Sequence, residues 1–223
     1  MSEKTEAKAL ERARKLEEKL AAERKRLEEM RLYENKYSEY PLIAGIDEVG
    51  RGPLAGPVVT ACVILPRDCE ILYVNDSKKL SEKKREELFP EIMEKAVSVG
   101  IGICSQEEID ELNILQATYE AMRRAIKELN PVPDCILVDA VTIPGISIRQ
   151  VPIIKGDAKS VSIAAASIVA KVTRDRMMVE LDKQYPGYGF ASNKGYGSAE
   201  HIEALKKLGP CPIHRHSFIK NFI

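Results

Sequence analysis

The alternation of hydrophobic and polar positions divides the chain at about residue 38. Before that point Glu, Lys, Arg, Ala and Leu dominate, Gly and Pro do not occur, and apolar residues recur every seven positions at Ala13, Leu20 and Leu27. Such a repeat predicts one long helix with a thin apolar seam. We interpret residues 1–38 as a charged N-terminal helical arm. It is either a solvated helix packed loosely on the body or a coiled-coil-like contact with a partner or a nucleic-acid backbone, and the sequence leaves this open.

From Tyr40 onward the pattern changes to short β-branched apolar runs bounded by Gly or Pro, which predict strands. These runs read LIAGIDEV, PVVTACVIL, VSVGIGIC, CILVDA and ISIRQVPII. Helical patterns lie between them, and one opens with Ser105 three residues before Glu108, the spacing of a capping box. Another begins SVSIAAASIVAKV and is so uniformly small or apolar that it must be buried against a sheet. This order of elements predicts an α/β domain with a mixed sheet over residues 39–223.

The amino-acid composition says more about the compartment in which the protein works than about its function. The 34 Lys and Arg balance the 34 Asp and Glu, so any attraction to nucleic acid must come from local patches. The five cysteines show no CxxC pair, which favours a reducing compartment over a disulfide framework. No secretory signal and no run near the roughly 20 apolar residues of a membrane span is visible. We expect a soluble cytoplasmic protein without membrane contact.

Four acidic residues stand where strands are predicted to end. Asp47 and Glu48 interrupt an apolar strand, Asp139 closes CILVD, and Asp157 follows an apolar run just before a helix. Carboxylates are poor strand residues, and buried ones without partners cost several kcal/mol, on the order given for desolvated ions. Strand ends are where α/β sheets build their sites. Oxygen ligands without neighbouring His or Cys suit Mg²⁺ or Mn²⁺ rather than zinc. We predict a metal site formed by the four acids.

The turn Gly50-Arg51-Gly52 follows the first acidic pair directly. Two glycines let the backbone approach a ligand and turn N–H groups toward it, and Arg51 can grip a phosphate. No Lys-Ser/Thr pair follows, so the turn is not a Walker loop. Its position beside Asp47 and Glu48 indicates a backbone cradle next to the metal site.

Taken together, six motifs resemble bacterial ribonuclease HII, the type 2 ribonuclease H. In order they are GIDEVGRGPLAGPVV, NDSKKLS, VDA, KGDAKS with AAASIVAKVTRD, NKGYGS and HRHSF, across about residues 42–218. The GRG turn separates the chain from the sister ribonuclease HIII group, which has a different residue at the Arg51 place. The resemblance implies an RNase H-like fold, a five-stranded mixed sheet flanked by helices, with the arm outside it.

The resemblance also implies activity and residue roles. It implies hydrolysis of the RNA strand of RNA–DNA hybrids, incision on the 5′ side of single ribonucleotides in duplex DNA, and a role in ribonucleotide removal during repair and replication. The implied metal ligands and catalytic residues are the four acids, the 2′-hydroxyl sensor is the GRG turn, and the stacking residue is Tyr196. Without the resemblance, Tyr196 would be interpreted as a core or turn aromatic. Ala140 departs from the Gly of many relatives, and we expect a slightly stiffer loop there.

The implied chemistry is hydrolysis with two divalent ions roughly 4 Å apart clamping the scissile phosphate, leaving a 3′-hydroxyl and a 5′-phosphate. The enzyme would distinguish a ribonucleotide from a deoxyribonucleotide by its 2′-hydroxyl, the group that separates RNA from DNA. Basic residues near the motifs are candidate phosphate contacts, although charge runs are usually solvated faces. These candidates are Lys78, Lys79, Lys159 and Lys194. The expected partner is an RNA–DNA hybrid or a duplex containing ribonucleotides, bound by a monomer.

Three other interpretations stay open on the sequence. The chain could be a non-catalytic nucleic-acid-binding or scaffold protein whose arm carries the interaction. It could be another nuclease of this fold, such as a DNA junction resolvase, that cuts all-DNA substrates. Cys211, His214 and His216, with His201 upstream, could be interpreted as a zinc site, but CPIHRH is not a standard ligand spacing.

Overall fold

A single mixed β-sheet organises the protein, and the computed structural model describes residues 3–223 of the chain. The strands are β1 Ile43–Val49, β2 Val58–Ile64, β3 Ser98–Cys104, β4 Cys135–Asp139 and β5 Arg149–Ile153. They lie in the order β3-β2-β1-β4-β5. β1, β4 and β5 run parallel, whereas β2 and β3 pair antiparallel. The predicted five-stranded mixed sheet is therefore confirmed.

Helices cover both faces of the sheet. They are α1 Glu3–Met30, α2 Leu32–Lys36, α3 Glu82–Lys95, α4 Gln106–Leu112, α5 Ile114–Lys127, α6 Val161–Gln184, α7 Phe190–Asn193, α8 Ala199–Leu208 and α9 His216–Ile219. The predicted capping box opens α4. Within the range that the structure covers, no helix has the length and apolarity to cross a membrane. All five cysteines are free and buried.

The two faces of β2 show how the core is divided. Ala61 and Val63 pack with α6 and α3, while Cys62 and Ile64 pack with α5 and β4. α6 is buried along its first half, as its small residues predict. It lies so close to β1 that a Cβ on Gly45 would stand 2.1 Å from the carbonyl carbon of Ser162. This contact fixes α6 directly behind the strand that carries the first acidic pair.

The arm divides into an exposed part and a docked part. Leu10 and Leu16 are 76% and 56% exposed, whereas Leu27 and Met30 are buried in the same core cluster as α3 and α6. Further along, Glu34 Oε1 accepts hydrogen bonds from Ser160 Oγ (2.6 Å) and the Ser162 N–H (3.0 Å) at the start of α6. The division of the chain at residue 38 stays a prediction, and the docked part of the arm contributes to the core of the body.

Candidate active site

The four predicted acids gather at one edge of the sheet, which we call the acidic edge. Asp47 and Glu48 lie near the carboxyl end of β1, Asp139 is the last residue of β4, and Asp157 lies in the 3-10 turn Gly156–Ala158 after β5. Because β1, β4 and β5 are parallel, their carboxyl ends meet at the same edge. The topology therefore brings together residues that are up to 110 positions apart in the sequence.

Hydrogen bonds hold two of these carboxylates in defined orientations. The Gly156 N–H donates to Asp139 Oδ1 at 2.8 Å, which ties the turn carrying Asp157 to the end of β4. Asp47 shares the α6 side of β1 with Gly45, two residues before it, and its Oδ1 accepts from the Glu48 N–H at 2.8 Å. These contacts place the carboxylates through backbone groups rather than through basic side chains.

The acidic edge is electrostatically strained. Burial, followed by the charge of Glu48, raises the pKa of Asp47 well above its ordinary value. The pKa of Glu48 is raised mainly by burial, although Arg51 opposes the shift. Burial and the charges of Asp76 and Asp139 raise the pKa of Asp157. Carboxylates that repel one another in a poorly solvated site favour proton or cation binding.

Two basic side chains partly offset this charge. Arg51 Nη1 lies 3.5 Å from Glu48 Oε1. Burial lowers the pKa of Lys78, but nearby carboxylates outweigh it and the net shift is upward. Those carboxylates are Asp47, Asp76, Asp157 and Asp139. Lys78 therefore belongs to the acidic edge.

The donor set of the acidic edge fits a hard divalent cation in chemistry, because all four predicted ligands are carboxylates. Among the side chains that the structure describes, no three or more His, Cys, Asp or Glu form a group compact enough to hold a metal ion. The same finding covers the Cys211, His214 and His216 set considered for zinc. The carboxylates thus share one edge and one electrostatic field without forming a closed coordination shell, and their assignment as ligands stays a prediction.

The loop after β4 carries a conformational cost at Ala140. Its φ of +58° lies in the left-handed region, which costs roughly 1 kcal/mol for a residue with a Cβ. The Ala140 N–H donates to the Ile153 carbonyl at 3.0 Å, so the sheet holds the residue in place. This backbone conformation is one that Gly adopts without strain.

The GRG turn is contacted from within the protein by two arginines. Gly50 has φ of +92°, and a Cβ there would lie 2.2 Å from Nε of Arg174, so this glycine makes room for an arginine of the protein itself. The carbonyls of Gly50 and Arg51 accept hydrogen bonds from Arg215, at 2.6 and 3.0 Å. Among the described residues, the N–H groups of residues 50–52 donate to no protein acceptor. Hydrogen-bond donors are therefore what the turn offers to a ligand.

Tyr196 stands next to the GRG turn. A Cβ placed on Gly52 would lie 3.7 Å from Cε1 of the Tyr196 ring, which is 46% exposed. The Leu54 N–H donates to the Gly195 carbonyl at 2.8 Å and joins the two loops. The structure thus brings together two sequence-predicted features that are more than 140 residues apart.

The other predicted lysines are placed less favourably. Lys79 and Lys159 line a cleft with Arg26, Glu29 and Met30 of the arm helix. Lys194 turns its ammonium group back to the Ala191 carbonyl within its own loop. Their roles as phosphate contacts stay predictions, and of the four lysines Lys78 is the one whose charge interacts with the acidic edge.

Two buried arginines lie outside the predicted set of site residues. Arg174 donates to the carbonyls of Pro57, Ala55 and Lys194 at 2.9–3.1 Å. Arg215 donates to the Gly56 carbonyl in addition to those of the GRG turn. We call Arg174 and Arg215 the buried clamp, because both are fully buried and together they hold the segments on either side of the site. In the sequence, each is visible only as an arginine within a motif: Arg174 in AAASIVAKVTRD and Arg215 in HRHSF.

Asp76 was also missed. Its Oδ1 accepts from the Lys78 N–H at 2.9 Å, which caps the 3-10 turn Ser77–Lys79. A hydrogen bond with Asp76 and its charge help to raise the pKa of Asp157. Asp76 therefore positions Lys78 and adds a fifth carboxylate to the field of the acidic edge. It stands next to Lys78 in the motif NDSKKLS, which was the available signal.

Comparison with known proteins gives one consistent family. The family model described as Ribonuclease HII matches residues 44–221. A ribonuclease HII of Lachnoclostridium phytofermentans is 72% identical over 204 residues, covering 92% of this chain and 80% of the relative. One of Acetivibrio thermocellus is 59% identical over 218 residues, covering 97% and 85%.

Solved structures agree with the family match. Ribonuclease H2 from Pyrococcus horikoshii OT3 superposes with a TM-score of 0.64 at 31% identity, over 79% of this chain and 93% of that one. The ribonuclease HII solved as a complex with PCNA from Archaeoglobus fulgidus gives 0.66 at 30% identity, over 81% and 96%. From the matched family and the extent of these similarities, the chain belongs to the ribonuclease HII family and is a hydrolytic endoribonuclease that acts on RNA–DNA hybrids.

Proposed function

We propose that this endoribonuclease also incises duplex DNA on the 5′ side of a single embedded ribonucleotide, leaving a 3′-hydroxyl and a 5′-phosphate, and so initiates ribonucleotide removal in DNA repair. The observation that carries the proposal is the proximity of the Tyr196 ring to the GRG turn beside the acidic edge. A Cβ added to Gly52 would just reach van der Waals contact with the Tyr196 ring, and Arg51 pairs with Glu48. A sensor for one sugar and a surface for the next therefore adjoin the hydrolytic groups.

The GRG turn is suited to recognise the 2′-hydroxyl, which separates RNA from DNA at a given position. Its backbone N–H groups have no protein acceptor among the described residues, so they can donate to the hydroxyl oxygen. Gly52 adds no side chain that would block the sugar. The Tyr196 ring, beside Gly52, would lie against the following sugar, where an additional 2′-hydroxyl would crowd it. This arrangement would favour a ribonucleotide followed by a deoxyribonucleotide.

The acidic edge is suited to the hydrolytic step. Divalent-metal dependence is general for the family, and two Mg²⁺ or Mn²⁺ ions, when bound, would activate water and offset charge at the scissile phosphate. Asp47, Glu48, Asp139 and Asp157 would hold them. In the reaction the oxygen of water bonds to phosphorus, the bond from phosphorus to the 3′ oxygen breaks, and that oxygen leaves with the electron pair and is protonated.

The test uses three labelled duplexes of one sequence: an RNA–DNA hybrid, a DNA duplex with one ribonucleotide, and an all-DNA duplex. With Mg²⁺ or Mn²⁺ we expect a cut on the 5′ side of the single ribonucleotide and none in all-DNA. Excess EDTA should abolish cutting. The upstream product should be extended by a DNA polymerase, which requires a 3′-hydroxyl.

Matched variants separate the site from the rest of the surface. Asp47→Asn should abolish cutting of both ribonucleotide-containing duplexes, whereas Asp68→Asn, an exposed aspartate outside the acidic edge, should leave it unchanged. Cutting of the hybrid alone would contradict the proposal on embedded ribonucleotides. Equal cutting of the all-DNA duplex would instead indicate a nuclease that does not read the sugar.

A further inference from the structure

Two buried histidines lie directly beneath Tyr196. His201 of α8 and His214 of the C-terminal segment are both fully buried. Their Nε2 atoms lie 3.1 Å apart. His201 Nδ1 lies 2.8 Å from the carbonyl oxygen of Tyr196, and the Cys211 N–H donates to His214 Nδ1 at 2.9 Å. The two rings therefore link the C-terminal segment to the backbone of Tyr196.

The partners at the two ends determine where the protons lie. The Cys211 N–H, which can only donate, lies closer to His214 Nδ1 than the Cys211 carbonyl oxygen does, at 2.9 against 3.3 Å. We therefore assign Nδ1 as the acceptor and place the ring proton of neutral His214 on Nε2. That proton is donated to His201 Nε2. A carbonyl can only accept, so His201 carries its proton on Nδ1 and donates it to Tyr196. The result is an ordered chain of neutral imidazoles, which we call the histidine relay.

The surroundings keep both rings neutral. The rings of Tyr188 and Phe190 pack against the two imidazoles, with ring centroids 5.0–6.5 Å apart. The Tyr188 hydroxyl donates its hydrogen bond to the Gly209 carbonyl and not to either histidine. Burial is the main cause that lowers the pKa of both histidines, that of His214 to about 4. A proton added to His201 would set two donors against each other at the Nε2 contact. A proton added to His214 would go to Nδ1 and oppose the Cys211 N–H.

The backbone around Tyr196 is fixed by few other bonds. The Tyr196 N–H donates to the Asn193 carbonyl at 2.9 Å, and the Tyr196 carbonyl also accepts from the Ser198 N–H at 2.8 Å. Both partners are within three residues, so these bonds define a local turn. The attachments of this turn to the body precede Tyr196, at the carbonyls of Gly195 and Lys194. The bond from His201, whose side chain is fully buried, holds that turn at Tyr196 itself.

We propose that His201 and His214 are positioning residues that fix Tyr196 against the GRG turn and so set the preference for a ribonucleotide followed by a deoxyribonucleotide. Neither histidine reaches the substrate, because both are enclosed by protein. This inference rests on the proposed function for its consequence in substrate choice. The position of the Tyr196 ring can be measured without any substrate.

The kinetic test compares His201→Leu with His201→Asn. Asparagine carries an amide nitrogen at about the place of imidazole Nδ1 and can still donate to Tyr196, whereas leucine cannot. The readout is a selectivity ratio: kcat/KM on a duplex with one ribonucleotide divided by kcat/KM on a duplex with a ribonucleotide tract. We expect His201→Leu to lower this ratio by about tenfold, since sub-ångström displacements at a site already have effects of this size. His201→Asn should restore most of it.

A double-mutant cycle separates positioning from general loss of structure. In a Tyr196→Ala background His201→Leu should leave the selectivity ratio unchanged, because the group it positions is gone. His214→Gln keeps a donor near the Nε2 place and should behave like His201→Asn. His214→Leu removes that donor and provides the disruptive variant if His201→Leu does not fold. An equal fall in the ratio with and without the Tyr196 side chain would overturn the proposal.

A spectroscopic test is independent of activity. In ¹⁵N-histidine NMR of the wild-type protein we expect the proton on Nδ1 of His201 and on Nε2 of His214. In ¹³C-tyrosine spectra His201→Leu should shift the Tyr196 ring resonances and His201→Asn should not. If the wild-type protein fails to incise at single ribonucleotides, the proposed function falls while these spectra still decide the positioning. The opposite tautomers, or an unmoved Tyr196 resonance in His201→Leu, would overturn the relay.

Discussion

The acidic edge and the buried clamp place charge in the protein interior in opposite ways. In the clamp, Arg174 and Arg215 are fully buried, and their hydrogen bonds go to backbone carbonyls that hold them in one geometry. At the acidic edge, Asp47 has a strongly raised pKa because burial and neighbouring carboxylates act together. Buried charge whose hydrogen bonds are satisfied fixes structure, whereas buried charge left uncompensated prepares a site for a cation.

The two regions meet at the GRG turn. Glu48, two residues before the turn, belongs to the acidic edge, and the carbonyls of Gly50 and Arg51 accept hydrogen bonds from Arg215. Hydrolysis and recognition thus fall to different parts of the protein. The carboxylates of the acidic edge repel one another, whereas the GRG turn is held rigidly by hydrogen bonds from Arg215. This contrast predicts that substitutions in the two regions change stability in opposite directions.

The largest expected effect is that of Asp47→Asn. We expect activity to fall by at least about 10²-fold, on the scale of losing one preorganised electrostatic group. Because the carboxyl pKa is raised in the folded state, the charge at neutral pH opposes folding, and its removal should stabilise the metal-free protein. We expect Tm in EDTA to rise by about 2–4 °C. Mg²⁺ or Mn²⁺ should raise the Tm of wild type more than that of the variant.

An unchanged or lower Tm for Asp47→Asn in EDTA would contradict the strained acidic edge. Asp68→Asn, at an exposed position, is the matched control. It should change neither the Tm in EDTA nor the response to metal.

Arg215→Met should have the opposite effect on stability. It leaves the carbonyls of Gly50, Arg51 and Gly56 without their donor, and unsatisfied buried groups cost roughly 1–3 kcal/mol each. Since the emptied space relaxes in part, we expect a loss of about 3 kcal/mol in the free energy of unfolding, measured by urea denaturation. Arg215→Lys should lose nearly as much, because an ammonium cannot reproduce the fork of donors. A stable Arg215→Met protein with normal selectivity would show that the clamp is dispensable.

The two glycines of the turn sharpen the contrast within three residues. Gly50→Ala should cost about 2 kcal/mol of stability, since it combines a left-handed φ with overlap on Arg174. Gly52→Ala meets only an ordinary contact with Tyr196, so we expect less than about 0.5 kcal/mol. Its effect should instead be a lower preference for ribonucleotide over deoxyribonucleotide in the incision assay. Equal selectivity of Gly52→Ala and wild type would argue against the turn as a sugar sensor.

The smallest effect concerns pH. The folded-state pKa of His214 is lowered to about 4, mainly by burial, so its contribution to stability is complete above the unfolded pKa near 6.5 and is lost as pH falls toward 4. Between pH 6.5 and 5.5 this amounts to about 1 kcal/mol. His201 contributes in the same direction, and the remaining groups facing the pair are the buried Cys211 thiol, the Tyr188 hydroxyl and the exposed His216.

Urea denaturation at several pH values measures this effect. The acidic edge has the opposite sign, so the relevant quantity is the difference between wild type and His214→Gln at each pH. We expect this difference to shrink as pH falls from 6.5 to 5.5, because the variant has no proton to gain at that position. A difference that is independent of pH would mean that His214 is not held neutral in the fold.

The sequence by itself determined the sheet, the acidic edge and the buried first half of α6. Apolar runs give the strands, and carboxylates such as Asp139 at the carboxyl ends of predicted strands converge because parallel strands end at one edge. The GRG turn was predicted beside the acids from the residues themselves, whereas its role as a sugar sensor and the role of Tyr196 came from motif resemblance. The proximity of Tyr196 to Gly52 appeared only in the folded chain.

Only the tertiary structure revealed the buried clamp, the histidine relay and the hydrogen bond from the Lys194 ammonium group to the Ala191 carbonyl. Arg215 reaches carbonyls about 160 positions earlier, and His201 reaches the carbonyl of Tyr196. Every residue has a backbone carbonyl, so a side chain whose partner is a carbonyl leaves no complementary residue type in the sequence to reveal the pairing. Acids that share a site are visible as residue types at strand ends, but backbone partners become identifiable only when the chain has folded.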